Sequence, residues 1–152
     1  MTVILHTDAS HSPEKVSAGY AFWITFGKKD YKRWGKLKEC KCITRGELMA
    51  IANGLHFIRN HPDLRLCTQV IINTDSLQSV KGIKKQVWTN KRKRKTKELR
   101  SIRGVVEKYL GTYNGRRCNY DLNHIPAHTD NTDTESIINK WCDKHAKLGA
   151  KL

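Results

Sequence analysis

Hydrophobic and polar positions divide the chain into alternating strand-like and helix-like stretches. Residues 2–8, "TVILHTD", are mostly apolar and β-branched, the composition of a central strand. "SAGYAFWITFG" (17–27) and "DYKRWGKLKEC" (30–40) follow closely, with Gly27-Lys28-Lys29 as the turn of an antiparallel meander. From 44 to 62 the period changes: apolar residues at 48, 51, 55 and 58 share one helical face, with Thr44 as N-cap and Pro62 as the stop. "TQVIINT" (68–74) returns to strand, residues 76–85 and 95–110 read as two helices, and "CNYDLNHIP" (118–126) as a last strand. "DTESIINKWCDKHAKLGA" (133–150) closes the chain as an amphipathic helix. The order βββαβααβα predicts an α/β fold over residues 1–152 as one domain. Its five-stranded mixed sheet is parallel where helices cross over and carries helices on both faces.

Two of these strands run straight into Thr-Asp, at Thr7-Asp8 and Thr74-Asp75. A helical crossover joins them, so they should lie parallel and deliver both carboxylates to the carboxyl edge of the sheet, where open α/β sheets bind ligands. A single Asp at a strand end is ordinarily a turn or cap residue; two at equivalent ends weaken that explanation. Glu47 strengthens the case. It stands 4, 7, 8 and 11 residues before Ile51, Gly54, Leu55 and Ile58, and so points with them toward the sheet. A buried carboxylate without a partner is costly and calls for a cation or a proton. Asp143, one turn after Asn139 on the edge of the last helix's core stripe, supplies a fourth. Hard oxygen donors of this kind suit Mg²⁺ or Mn²⁺ rather than zinc. Two such ions could activate water and stabilise the leaving oxygen of a phosphodiester.

The net charge of +15 points to a polyanionic partner, nucleic acid or an anionic membrane face. Much of it lies in "KKQVWTNKRKRKTKELRSIR" (84–103), with ten Lys or Arg against the single Glu98. Beside an acidic site, a strip containing Lys91, Arg92, Lys93 and Arg94 reads as phosphate-binding, and Trp88 could stack on a sugar or base. A solvated helix face or an import tag is the plainer reading. No run approaches the ~18 apolar residues of a membrane span, and the N-terminus lacks a signal-peptide pattern. Five cysteines offer one C-x-C and no second pair for a zinc site. They are expected to be free thiols in an intracellular protein, cytoplasmic or nuclear, not secreted. A monomer without an obligate protein partner is expected too.

In this order and spacing, "TDAS" (7–10), "RGELMAI" (45–51), "TDS" (74–76), "HIPAHTD" (124–130) and "NKWCDKHAKLGA" (139–150) resemble the ribonuclease H family, over about residues 2–150. The resemblance implies an RNase H-like fold and an endonuclease that cleaves the RNA strand of RNA–DNA hybrids, leaving 3′-hydroxyl and 5′-phosphate ends. It implies two Mg²⁺ ions, with Mn²⁺ as substitute, on Asp8, Glu47, Asp75 and Asp143. It places a loop histidine assisting proton transfer or product release at His128. It gives the basic strip a DNA-strand contact, and Thr44, Arg45 and Asn139 nucleic-acid contacts. The chain departs from the family at Ala9, where glycine is frequent, at "CIT" (42–44) before the glutamate, and at Thr129-Asp130 after the loop histidine. These positions bear on substrate preference and rate.

Two other functions stay open on the residues. One is a nuclease with the same metal centre acting on structured DNA or double-stranded RNA; the other is a non-catalytic nucleic-acid-binding module. Of the other histidines, His124 and His145 are expected to pack or cap, and His6 to fill its strand. Trp23 and Trp141 are expected in the core.

Overall fold

The computed structural model describes residues 2–12, 14, 17–40, 42–83, 101–102, 104–109, 118–125 and 133–152. Five strands, β1 (Thr2–Ser12), β2 (Ser17–Phe26), β3 (Lys29–Leu37), β4 (Gln69–Thr74) and β5 (Asn119–His124), form one sheet in the order β3-β2-β1-β4-β5. The β1–β2 and β2–β3 pairs are antiparallel, whereas β1–β4 and β4–β5 are parallel. The helices are α1 (Ile43–Asn60), α2 (Leu77–Ile83), α3 (residues 101–102 and 104–109) and α4 (Thr134–Lys151). The mixed sheet and the helical crossover between parallel β1 and β4 are as the pattern predicts. No described helix is long and apolar enough to cross a membrane.

Alternation along β2 sorts the two faces. Phe22 and Ile24 join Val3, Leu5, Leu48, Ile51 and Ile72 in the main core beneath α1. Ala21, one residue before Phe22, packs on the opposite face against Ile138, Cys142 and Ala146 of α4. Charged residues fill the edge strand β3, at Lys29, Asp30, Lys32, Arg33 and Lys36, which discourages pairing with another sheet.

Two boundaries differ from the sequence expectation, and both matter to the site. The N-cap of α1 is Cys42, not Thr44. Cys42 is extended, with φ −147° and ψ 153°, and its Sγ accepts from the Arg45 N–H at 3.4 Å. Its carbonyl accepts the Gly46 N–H at 3.2 Å, so the first helical turn closes two residues early and Thr44 sits inside it. At the other end the helix stops at Asn60, with His61 extended before Pro62 as the proline requires. Strand β1 runs on to Ser12 because β2 pairs with it as far as Ser12↔Ser17. Asp8 therefore lies within a strand rather than at its end.

Trp23 and Trp141, expected in the core, are half-buried and clamp α4 to the sheet at its flank. Their rings meet edge to face at 5.6 Å, and the Lys32 ammonium lies 3.8 Å from the Trp23 ring centroid. Nearer its C-terminus α4 touches the sheet backbone to backbone. A Cβ at Gly19 would fall on the Ala146 carbonyl and the Ala150 amide, neither of which can swing aside. Gly19→Ala is accordingly expected to destabilise the protein by about 3 kcal/mol, at the upper end of overpacking costs, measured as a lower urea midpoint at unchanged m-value.

Candidate active site

Asp8 owes its place to a mismatch in strand length. The parallel ladder between β1 and β4 ends at Thr7↔Thr74, while β1 continues and pairs Asp8 with Ala21 on its other side. From Asp8 onward, the edge of β1 that faces β4 has no described strand beside it. Into this opening Glu47 reaches from the first turns of α1, and Asp75 follows directly on Thr74. One carboxylate oxygen from each of Asp8, Glu47 and Asp75 lies within 4.8 Å of the others. Asp8 and Glu47 are buried, and Asp75 is partly exposed.

The electrostatics are those of a cation site. Burial, then the neighbouring Asp75 charge, pushes Asp8 up to about 8, against the Ala9 N–H that donates to its Oδ1 at 2.8 Å. Burial and the charges of Asp8 and Asp75 raise Glu47 well above the usual carboxylate range. A hydrogen bond between the two carboxyls favours ionised Asp8 and protonated Glu47, as when they share one proton. Glu47 Oε2 is fully buried without a hydrogen-bond partner. That orphaned acceptor, in a set of hard oxygen donors, fits a divalent ion such as Mg²⁺ or Mn²⁺.

The loop carrying Asp75 is pinned residue by residue. The Thr74 carbonyl accepts from Ile125 N–H at 2.9 Å, and Thr74 Oγ1 accepts from Ser76 N–H at 3.1 Å. Ser76 Oγ in turn accepts from Ser79 N–H at 3.2 Å and caps α2. His124 Nε2 lies 3.2 Å from the Asp75 carbonyl; a carbonyl only accepts, so this nitrogen carries the proton. The sequence had suggested only a packing or capping role for His124, and nothing in its local pattern marks the Asp75 contact.

Asp143 stands apart from the group of three. It projects from the edge of α4, where Lys147 Nζ meets its Oδ2 at 3.0 Å. Its charge still contributes to raising Asp8, so it borders the same site. Asn139 is half-buried one turn earlier on α4, and Thr44 and Arg45 are half-buried in the first turn of α1. His128, Trp88, Lys91, Arg92, Lys93 and Arg94 lie outside the described residues. His6 is buried with Nδ1 unpartnered, and burial lowers it to about 4, so the ring stays neutral. His145 stacks on Trp141 at 4.0 Å and donates from Nδ1 to its carbonyl. All five cysteines are free thiols.

A mixed five-stranded sheet with helices on both faces, holding a buried carboxylate cluster beside its central parallel pair, defines an α/β protein of the RNase H-like class. The pattern of the RNase H family matches residues 1–151, and the chain belongs to that family. A curated relative, a probable ribonuclease H of Acanthamoeba polyphaga mimivirus, is 34% identical over 117 residues. The match takes in 75% of this chain and 50% of that protein, so the chain spans about half the length of that relative. Ribonuclease H1 of Halobacterium salinarum superposes with a TM-score of 0.75 at 14% identity, over 99% of this chain and 98% of that one. LC11 ribonuclease H1, solved in complex with an RNA/DNA hybrid, gives 0.69 at 16% identity, over 98% and 96%. The N-terminal RNase H domain of a Mycobacterium tuberculosis protein gives 0.70 at 15% identity, over 99% and 94%. At these identities the structural likeness is one of fold.

The raised carboxyls carry a sign that can be measured. A carboxyl whose folded pKa exceeds its unfolded value stabilises the fold while protonated and loses that contribution as pH rises through the folded pKa. His6, neutral in the fold, opposes this trend only while the unfolded ring still holds a proton, and that effect fades as pH rises past 6.5, leaving the carboxyls to dominate. Between pH 6.5 and 8 the metal-free protein should lose roughly 1–2 kcal/mol of stability per pH unit. Saturating Mg²⁺ should flatten that slope; both are read from urea melts across the pH range.

Proposed function

We propose that this protein is a metal-dependent endoribonuclease that hydrolyses the RNA strand of RNA–DNA hybrids, leaving 3′-hydroxyl and 5′-phosphate ends. The observation that carries the reading is the convergence of Asp8, Glu47 and Asp75 around an unpartnered buried oxygen. Membership of the RNase H family and the hybrid bound to LC11 ribonuclease H1 support the choice of substrate.

In this reading Asp8, Glu47, Asp75 and Asp143 would hold two Mg²⁺ ions, which Mn²⁺ could replace. When bound, the ions supply Lewis-acid activation of water and charge neutralisation at the leaving oxygen. The chain's own residues set the geometry. The Ala9 N–H fixes the rotamer of Asp8, the hydrogen-bonded turn at Thr74–Ser76 fixes Asp75, and the buried face of α1 fixes Glu47. Loss of the protons that burial retains on Asp8 and Glu47 would ready both as ligands. His128 assists proton movement or product release. Thr44, Arg45 and Asn139 contact the hybrid near the cluster, while Trp88 and Lys91 to Arg94 grip its DNA strand.

The test is cleavage of an end-labelled RNA–DNA hybrid with Mg²⁺, set beside the same RNA single-stranded, the RNA duplex and a DNA junction. Cleavage confined to the RNA of the hybrid is expected. Preferential cutting of the RNA duplex or the junction would transfer the reading to a different substrate, and tight binding without cleavage would leave a binding module. Asp75→Asn should lower turnover on the hybrid by at least ~10³-fold, about 4 kcal/mol of transition-state stabilisation, with binding largely kept. Unchanged turnover in that variant would end the metal-centre reading.

A further inference from the structure

Helix α4 presents to solvent a row of lysines that the proposed reaction does not use. Lys140, Lys144, Lys147 and Lys151 follow one another at spacings of four, three and four residues, so they share one stripe of the helix, and all four are exposed. From first to last the stripe rises about 17 Å. Beyond Glu135 in the first turn, the helix has one acidic residue, Asp143, on the site-facing side of the row. Lysines in the last turns of a helix complement its dipole, which would account for Lys147 and Lys151. Lys140 and Lys144 lie too far from the C-terminus for that.

The placement of the row ties it to the carboxylate cluster. Asp143 is within one turn of Lys140, Lys144 and Lys147, and its neighbour Cys142 packs with Ala21, the ladder partner of Asp8. The stripe therefore passes the margin of the cluster between Lys140 and Lys144 and continues to the end of α4. A nucleic-acid strand rises about 3.4 Å per phosphate, so the stripe matches about five phosphates. We propose that the α4 lysine row is a phosphate track for the strand of substrate that extends beyond the cleavage site. Its ligand is a polyanion by charge complementarity, and the choice of an RNA–DNA hybrid rests on the endoribonuclease reading. The track engages long substrates and contributes nothing to ones that end at the cluster.

The test uses Lys140→Gln, Lys144→Gln and Lys151→Gln in combination, with Lys147 spared because it pairs with Asp143. Glutamine is as good a helix former as lysine, so the melting temperature should hold. Binding to fluorescent hybrids of about 8 and about 20 base pairs is measured by anisotropy without divalent ions, over a range of salt. On the long hybrid the triple variant should bind at least ~10-fold more weakly at 0.1 M salt, with its salt slope shallower by about two to three units. Binding and Mg²⁺-dependent cleavage of the short hybrid should be unchanged. An unaltered slope on the long hybrid would overturn the track and leave a solvated helix face. So would equal losses on both lengths, which report a general drop in positive potential. A wild-type protein that binds but does not cleave would overturn the endoribonuclease reading alone, since the slope comparison needs no turnover.

Discussion

Carboxylates repel one another most where water is scarce, and the site between β1 and β4 brings three of them together there. With oxygens within 4.8 Å, two ionised carboxylates repel by about 3 kcal/mol at an effective dielectric constant of 20. The cluster relieves this by keeping protons that exposed carboxyls would lose, as the raised pKa values of Asp8 and Glu47 record. A site that retains protons when empty is one a divalent cation can take over, because the cation replaces proton and repulsion together. The rest of the fold has to hold this arrangement against its own tendency to fly apart.

Each carboxylate is accordingly carried by a different element, and each element is anchored at a distance from the cluster. Helix α1 is fixed along its length by Leu48, Ile51, Leu55 and Ile58 in the main core, so Glu47 cannot retreat into solvent without lifting the helix. Asp8 is held in a strand paired to Ala21 through the antiparallel ladder. Asp75 sits on a turn whose neighbours are tied to β5 and α2. Helix α4 is set on the opposite face by glycine contacts toward its C-terminus and by the Trp23–Trp141 pair near its middle. Its site-facing edge offers Asp143, and its outward face the lysine row. One helix thus places acid toward the cluster and base toward solvent.

Much of this was legible in the pattern of residues. The buried strand into Thr7-Asp8, its repeat at Thr74-Asp75, and Glu47 in register with Ile51, Leu55 and Ile58 were enough to bring three carboxylates to one sheet edge. Periodicity reports which face a side chain takes, and burial is a property of faces. The α1 cap at Cys42 was not legible, since a thiol is a weak acceptor and Thr44 is the better cap by propensity. Nor was the His124–Asp75 contact, which depends on β5 ending level with β4 at Thr74↔His124. The half-exposure of Trp23 and Trp141 follows from how far α4 extends over the sheet, which no local pattern records.

By itself, then, the sequence determined the order of the elements, the faces they bury and the acidic residues on those faces, because each depends on short-range period and composition. Tertiary structure alone decided that β1 outruns β4. That difference in length opens the strand edge at Asp8, so Glu47 from one face and Asp75 from the adjoining strand can meet it. Strand length here is set by pairing between Ser12 and Ser17, a contact between two strands that neither encodes alone. The separation of Asp143 from the cluster likewise came from packing, through the seat of α4 on Gly19 and its pairing with Lys147.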